Sequence, residues 1–498
     1  MKKNSMNVRM MAAVLAGGWL LAACTSDDAP QHPGTPEPQR PGTYELTLDA
    51  TKGSDGEERL AAMRRVLTED GTMIRSQWKS GDEVSVYNNT KNQAMSGKLT
   101  AQADGQSATL KGALTGEVAV GDQLTLSYGA PSYDEQDGTL AHISDVCDYA
   151  TAEVTVTGID QGRISVEGGV ASFSNHQAIL QLKLKDAGGN SLGNVAQLKI
   201  YADGHTYTVT PGSPTSSPLY VAVRGISGKR IGMVATVAGS DYKFTKDDVS
   251  FGVAKYYRIN VKMSPMKKVE AAGAGDKNKI IGADGHIYDT KAEATYYDTT
   301  AKATIVYVGT AGSVDASSSA YRGLAIALTD ETGSAVDKWG DVLDAVDIAN
   351  HETMSSALND LAGISNTAEL VKEYGTKDGY IGKAINQFRT STPHPAGTSD
   401  WFIPSLGQWA LLLKANGADI PNDSSWDDPF ITTINSDMTT TYGFTENYYY
   451  WTSTEQGTEA ATYLSFFSEG SVKKVIIGPY TKGGTNGDSP ALRPFLAF

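Results

Sequence analysis

Hydrophobic and polar positions alternate with a period of two over much of the chain. Leu180, Leu182 and Leu184 alternate with Gln181, Lys183 and Lys185, and Tyr257, Ile259, Val261 and Met263 alternate with Arg258, Asn260 and Lys262. Val84-Ser85-Val86, Leu124-Thr125-Leu126 and Val154-Thr155-Val156 are shorter instances. Successive strand side chains point to opposite faces, so this period predicts half-buried strands. Turn residues separate them at Asp104-Gly105, Asp137-Gly138, Gly188-Gly189-Asn190 and Asp203-Gly204. Many short strands with regular turns predict two tandem antiparallel β-sandwiches, divided at residue 153 into 43–152 and 153–264.

The texture changes after a small-residue linker at 265–275, which contains Ala271-Ala272-Gly273-Ala274-Gly275. Strands are expected at 304–308 and 324–328, and a helical stretch from about Glu352 to Arg389. Asn366 with Glu369, and Ser405 with Gln408, have the spacing of capping boxes. In the second helix Leu406, Trp409, Ala410 and Leu413 share one face, and Asn416-Gly417 ends it. The fold class is therefore mainly β, with an α+β C-terminal domain over 276–498.

The N-terminus carries an address. Lys2, Lys3 and Arg9 accompany an apolar run from Met10 to Ala23, too short for the roughly 20 residues that span a bilayer. Leu21-Ala22-Ala23-Cys24 resembles a bacterial lipobox. That resemblance implies a signal peptide over 1–24, cleavage before Cys24, and a lipid anchor on Cys24 that ties the protein to the membrane. Ser26-Asp27-Asp28 resembles the acidic tag of outer-membrane surface lipoproteins. Residues 25–42 hold Pro30, Pro33, Pro36, Pro38 and Pro41 and read as an extended tether.

Composition narrows the function. The 498 residues include 42 Lys and Arg against 57 Asp and Glu, a net charge of −15, which argues against nucleic-acid binding. Cys24 and Cys147 are the only cysteines, so a cysteine-based zinc cluster is excluded, and seven scattered histidines suggest no metal site. Once Cys24 is modified, Cys147 reads as a lone buried thiol. No P-loop, Gly-x-Ser-x-Gly, His-Glu-x-x-His or Cys-x-x-Cys motif is present, and no cofactor is expected. A glycosidase would need two facing carboxylates, for which Glu446, Glu455, Asp427 and Asp428 are the nominal candidates; in an acidic domain they read as solvated surface.

Arg65-Val66-Leu67-Thr68-Glu69-Asp70-Gly71-Thr72 followed by Trp78-Lys79-Ser80-Gly81-Asp82-Glu83-Val84-Ser85-Val86-Tyr87 resembles the opening of the fimbrillin family, the subunits of type V pili. Phe173-Ser174-Asn175-His176-Gln177-Ala178-Ile179-Leu180 resembles the start of that family's second sandwich. The bare physical reading of Trp78, Gly81 and Asp82 is a tight turn with Trp78 packed beneath it. The resemblance implies that a protease cuts after an arginine, the first strand leaves, and a strand from another pilin subunit fills the groove, which is donor-strand complementation. Arg59, Arg64 and Arg65 are the candidate cleavage positions, beyond a strand expected around Tyr44–Leu48. The other reading of this segment is an uncut surface loop in a solitary lipoprotein.

Trp401-Phe402-Ile403-Pro404-Ser405-Leu406-Gly407-Gln408-Trp409, Tyr450-Trp451-Thr452-Ser453-Thr454-Glu455 and Leu492-Arg493-Pro494-Phe495-Leu496-Ala497-Phe498 together resemble a bacterial C-type-lectin-like domain. The calcium motifs of animal members are not reproduced: Trp426-Asp427-Asp428 is a near match, and Ile420-Pro421-Asn422 lacks the carboxylate. Formylglycine-generating relatives depend on cysteines that this domain lacks. Trp426, Asp427, Asp428 and Tyr448 are the candidate ligand contacts. In a strand through Tyr448–Trp451, Tyr448 and Tyr450 are expected on one face, with Tyr449 and Trp451 on the other. The reading is a non-catalytic surface adhesin, a minor tip subunit of a fimbrillin-type pilus, since the chain ends in a separate domain and has no terminal strand to donate. Its ligand would be a glycan or another surface molecule. The alternative is a monomeric surface glycan-binding lipoprotein serving carbohydrate capture.

Overall fold

The computed structural model describes residues 42–52, 68–70, 73–75, 77–331, 336–343, 346–420, 430–434, 437–484 and 490–498. The expected signal peptide, Cys24 and the expected tether up to residue 41 lie outside the described residues, while Gly42, the tether's expected last residue, begins a strand. Arg59, Arg64, Arg65, Trp426, Asp427 and Asp428 also lie outside the described residues.

The first sheet holds nine strands, and strand β1 (Gly42–Lys52) closes it. On one side β1 runs antiparallel to Ser107–Gly116, from Gly42 opposite Gly116 to Thr51 opposite Ser107. On the other it runs parallel to Arg163–Val166 and Val170–Asn175. The sheet is thus mixed, a departure from the wholly antiparallel expectation. A parallel pair needs a long crossover, and more than a hundred residues of chain separate β1 from those partners.

Residue 153, where the sequence reading divides the two sandwiches, lies inside the strand Ala150–Asp160, which pairs with Gln123–Tyr128 of the first sheet. Val154, Val156, Ile164, Ala171 and Phe173 all bury into the first core. The first sheet therefore continues to Asn175. Before that, residues 133–148 leave it: Tyr133, Ile143 and Cys147 bury into the second core, and Glu135–Gln136 pairs in parallel with the second unit's His205–Val209. The Gln136 side-chain amide donates to the Ala222 carbonyl at 2.8 Å and accepts from the Ala222 N–H at 2.8 Å. Alternation marks these segments as strands without saying which core they face.

The second unit sets a three-stranded sheet against a six-stranded one. Leu180, Leu182, Val221 and Val223 from the first meet Leu198, Ile200, Ile231 and Met233 from the second in one core. The three-stranded sheet is also mixed, since Gln177–Lys185 runs parallel to Tyr256–Lys262.

In the C-terminal unit a five-stranded sheet joins the early strand Ile280–Gly282 to the last strand, Phe495–Ala497, through Ala301–Val308 and Gly323–Ala327. Arg493 and Pro494 precede that last strand. A four-stranded sheet holds Tyr449–Gln456, Ala460–Glu469, Val472–Thr481 and Phe430–Thr433. The expected long helical stretch is three helices, Met354–Leu358, Gly363–Tyr374 and Ile381–Ser391. Helix Leu406–Ala415 has the capping box expected of Ser405 and Gln408. Asn366 caps nothing: its helix begins one turn earlier, and its amide donates to Asp360 Oδ2 and to the Ser453 carbonyl.

Candidate functional site

The strand expected around Tyr44–Leu48 is part of β1. Leu46, Leu48 and Ala50 point into the first core and are buried, while Thr43, Glu45, Thr47 and Asp49 face outward. This is the alternation of a strand with one wet face. Burial of Leu46 and Leu48 alone contributes about 4 kcal/mol. Backbone pairing on both flanks adds to it, for example the Glu45 N–H to the Gly162 carbonyl at 2.7 Å. Without β1, Leu110 and Leu114 of the antiparallel neighbour and Ile164 and Ala171 of the parallel ones would line an open slot, because all four are buried in the core that β1 covers.

The turn expected at Trp78, Gly81 and Asp82 has the local form read from the sequence. Gly81 adopts φ +91°, a conformation that favours glycine. The Asp82 carboxylate accepts from the Lys79 N–H at 2.9 Å, closing the turn. Trp78 is buried edge-on against Tyr128 and Phe173, with ring centroids 5.6 and 5.3 Å away. Gly121-Asp122 repeats the device: Gly121 has φ +91° and Asp122 Oδ2 accepts from the Ala119 N–H at 2.9 Å. The repeated Gly-Asp-x-apolar pattern, Gly81-Asp82-Glu83-Val84 and Gly121-Asp122-Gln123-Leu124, is the sequence signal of this shared turn.

In the C-terminal unit the aromatic run does not behave as one strand with a core face and a free face. Tyr450 buries into one core, against Trp409 and Phe466, and Trp451 buries into another, beside Tyr480. Both faces of this strand are covered. Tyr448 precedes the strand, follows Asn447 at φ +64°, and is exposed, so it does not share the buried setting of Tyr450. The strand begins at Tyr449, so its alternation does not extend to Tyr448.

Of the four nominal carboxylates, Glu446 and Glu455 each bond a lysine, and Glu455 is buried where a solvated surface was expected. Glu446 receives Lys473 and the Ser468 hydroxyl, which hold its carboxyl below the usual value. Glu455 and Lys482 form a buried ion pair with Lys482 over the Trp339 ring. Burial pushes the Glu455 carboxyl up, and Lys482 opposes that shift. A buried carboxylate already bonded to an ammonium is a structural element, and sequence spacing gave no hint that residues 27 apart would meet. Among the described residues no group of three or more His, Cys, Asp or Glu side chains is placed to hold a metal ion. Among them, too, no helix is long and apolar enough to cross a membrane.

No protein-family profile matches the chain, and no curated protein matches it. Solved structures do show likeness. A fimbrial protein from Bacteroides ovatus is 15% identical, with 92% of this chain and 100% of that one covered at a TM-score of 0.30. A candidate cell adhesion protein from Bacteroides uniformis is 14% identical over 44% of this chain and 96% of its own, at 0.27. The shaft pilin SpaA from Lactobacillus rhamnosus GG is 12% identical over 45% and 98%, at 0.21. Likenesses this slight decide nothing about what this chain binds or assembles with.

Proposed function

We propose that this chain is a non-catalytic cell-surface adhesin, a minor tip subunit of a fimbrillin-type pilus that assembles by strand exchange. The observation that carries the reading is the position of β1. It is the first described strand, it lines the core, and it is flanked by partners on both sides. It is followed by residues 53–67, which contain Arg59, Arg64 and Arg65. Cleavage there would free β1 and leave unpaired backbone groups along an apolar slot, an edge that strongly favours a replacement strand. A donor strand from another pilin subunit would restore both the hydrogen bonds and the buried side chains.

In this proposal Cys24 carries the lipid that holds the protein at the outer membrane before processing. The C-terminal unit is the lectin-like, ligand-facing end, with exposed Tyr448 and, outside the described residues, Trp426, Asp427 and Asp428 as glycan or surface contacts. Replacing Arg59, Arg64 and Arg65 together by Ala tests the account. Mass spectrometry of purified filaments should find the wild-type chain and lack the triple variant. If the variant enters filaments as well as wild type, strand exchange is wrong, and a solitary glycan-binding lipoprotein becomes the better reading.

A further inference from the structure

His286 stands where the second sandwich meets the C-terminal unit. It occupies the tight hairpin between Ile280–Gly282 and Ile287–Tyr288, and its side chain is 5% exposed. Neither ring nitrogen has a hydrogen-bond partner. Each nevertheless faces a carboxylate, with Nδ1 3.2 Å from Asp284 Oδ2 and Nε2 3.6 Å from Asp241 Oδ2. Asp284 belongs to the same hairpin. Asp241 belongs to the strand Ser240–Phe251 of the second sandwich. The imidazole therefore sits between one carboxylate from each side of the seam.

Both carboxylates are held in place by their own neighbours. The Tyr288 hydroxyl donates to Asp284 at 2.6 Å, and the Thr236 hydroxyl donates to Asp241 at 2.6 Å. The ring lines a cavity of about 230 Å³, into which Lys199 from the sandwich and Asp298 from the C-terminal unit also project. The backbones of Lys267 and Lys268 pair with this hairpin, and the Lys267 ammonium is taken by Asp276. Beside it the ion pair of Lys243 and Glu293, at 2.8 Å, spans the same seam. The rest of the junction is a cluster of tyrosines, Tyr201, Tyr288, Tyr296 and Tyr297, packed ring against ring.

A neutral imidazole has one N–H and one lone pair, so one of two flanking carboxylates must face the lone pair. An imidazolium donates from both nitrogens, and such charge-assisted bonds are the stronger kind. We propose that Asp241, His286 and Asp284 form a pH-responsive latch between the second sandwich and the C-terminal unit, tight when the ring is protonated and loose when it is neutral. Two carboxylates on opposite sides of one ring suit a proton better than a metal ion, and among the described residues no metal-binding group forms here. Histidine is the side chain whose charge ordinarily changes between about pH 5 and 8, whereas the surrounding tyrosines stay neutral there. The latch would stiffen the path along which a load applied to the C-terminal unit reaches the sandwiches.

Amide hydrogen exchange, corrected for the intrinsic dependence on pH, tests this on the whole folded chain. In wild type the hairpin around His286 and the strand start at Asp241 should be about tenfold better protected at about pH 5.5 than at about pH 8. Asp241→Asn, which keeps the shape of the side chain, and His286→Gln should each remove that difference. Should His286→Gln fail to fold, the Asp241→Asn protein decides the matter alone. An unchanged pH response in Asp241→Asn, or better protection at the alkaline end in wild type, overturns the latch.

Discussion

Arg493 and Asp330 form a buried ion pair on which the end of the C-terminal unit converges. The Arg493 guanidinium donates through Nε to Asp330 Oδ1. Three of its remaining four N–H groups go to the carbonyls of Ala327 and Tyr442, at 3.1 and 2.7 Å, and of Gly443 at 2.9 Å. The Tyr450 hydroxyl donates to Asp330 Oδ2 at 3.0 Å, and the guanidinium lies over the Phe444 ring. One side chain thereby ties the terminal strand, the Gly323–Ala327 strand and the end of the helix Asp437–Tyr442 together.

Replacing Arg493 by Met should cost about 3–5 kcal/mol, since it strands a buried carboxylate and three carbonyls. Thermal unfolding of the C-terminal unit should shift down by roughly 10 °C. Arg493→Lys keeps the charge but loses the fork of donors, so it should recover only part of the loss. A shift within error of wild type would show that the pair is dispensable.

Glu455 and Lys482 give a different expectation. Because both are buried, Glu455→Leu alone takes away the carboxylate that the buried Lys482 ammonium bonds, and should destabilise by about 3 kcal/mol or more. Glu455→Leu combined with Lys482→Met removes both charges and should restore most of the stability, which chemical denaturation can measure. The pH dependence has a definite sign. A carboxyl raised in the folded state favours folding where it is protonated, so its contribution falls as pH rises through the carboxylate range.

Cys147 should be inert in the folded protein. Burial first, then Asp148 and Asp137, push its thiol up to about 12. A thiol-specific reagent at about pH 8 should react only after unfolding. The folded chain keeps this proton longer than the unfolded one, so the thiol's contribution to stability falls as pH rises above the ordinary thiol range toward 12. Rapid labelling of native protein would contradict the burial.

The proposed lipid anchor has a direct test. Cys24→Ala should release the protein from the membrane fraction, read by detergent partitioning. A variant still bound at wild-type level would remove the lipoprotein reading.

The slot beneath β1 can be probed without a pilus. A chain beginning at Val66 should lack β1 and melt lower than the full chain, and adding a peptide of residues 42–52 should raise its melting temperature. The peptide can supply Leu46, Leu48 and Ala50 in register. No response to the peptide, in a chain that otherwise folds, would mean the slot does not accept a strand in trans.

Local chemistry was readable where it is short-ranged. Ser405 and Gln408 cap their helix because donor and acceptor lie three residues apart, and the Trp78 turn closes over an equally short span. Asn366 has the same spacing to Glu369 and fails, because Asp360 and the Ser453 carbonyl claim its amide from elsewhere in the fold. The partners that matter most at the seams, His286 with Asp241 and Arg493 with Asp330, are separated by distances in sequence that leave no periodic trace.

By itself the sequence determined that the chain is largely strands, where many of its turns fall, and where the texture changes toward the C-terminal unit. Alternation and capping act through neighbours a few residues apart, so the order of residue types carries them. Only the tertiary structure decided that residues 133–148 serve the second core while 150–175 serve the first. It alone showed that β1 closes a sheet between strands far along the chain, and that Tyr450 and Trp451 enter opposite cores. A strand's period says that it has two faces; which partners cover them depends on how all the apolar faces can be buried at once.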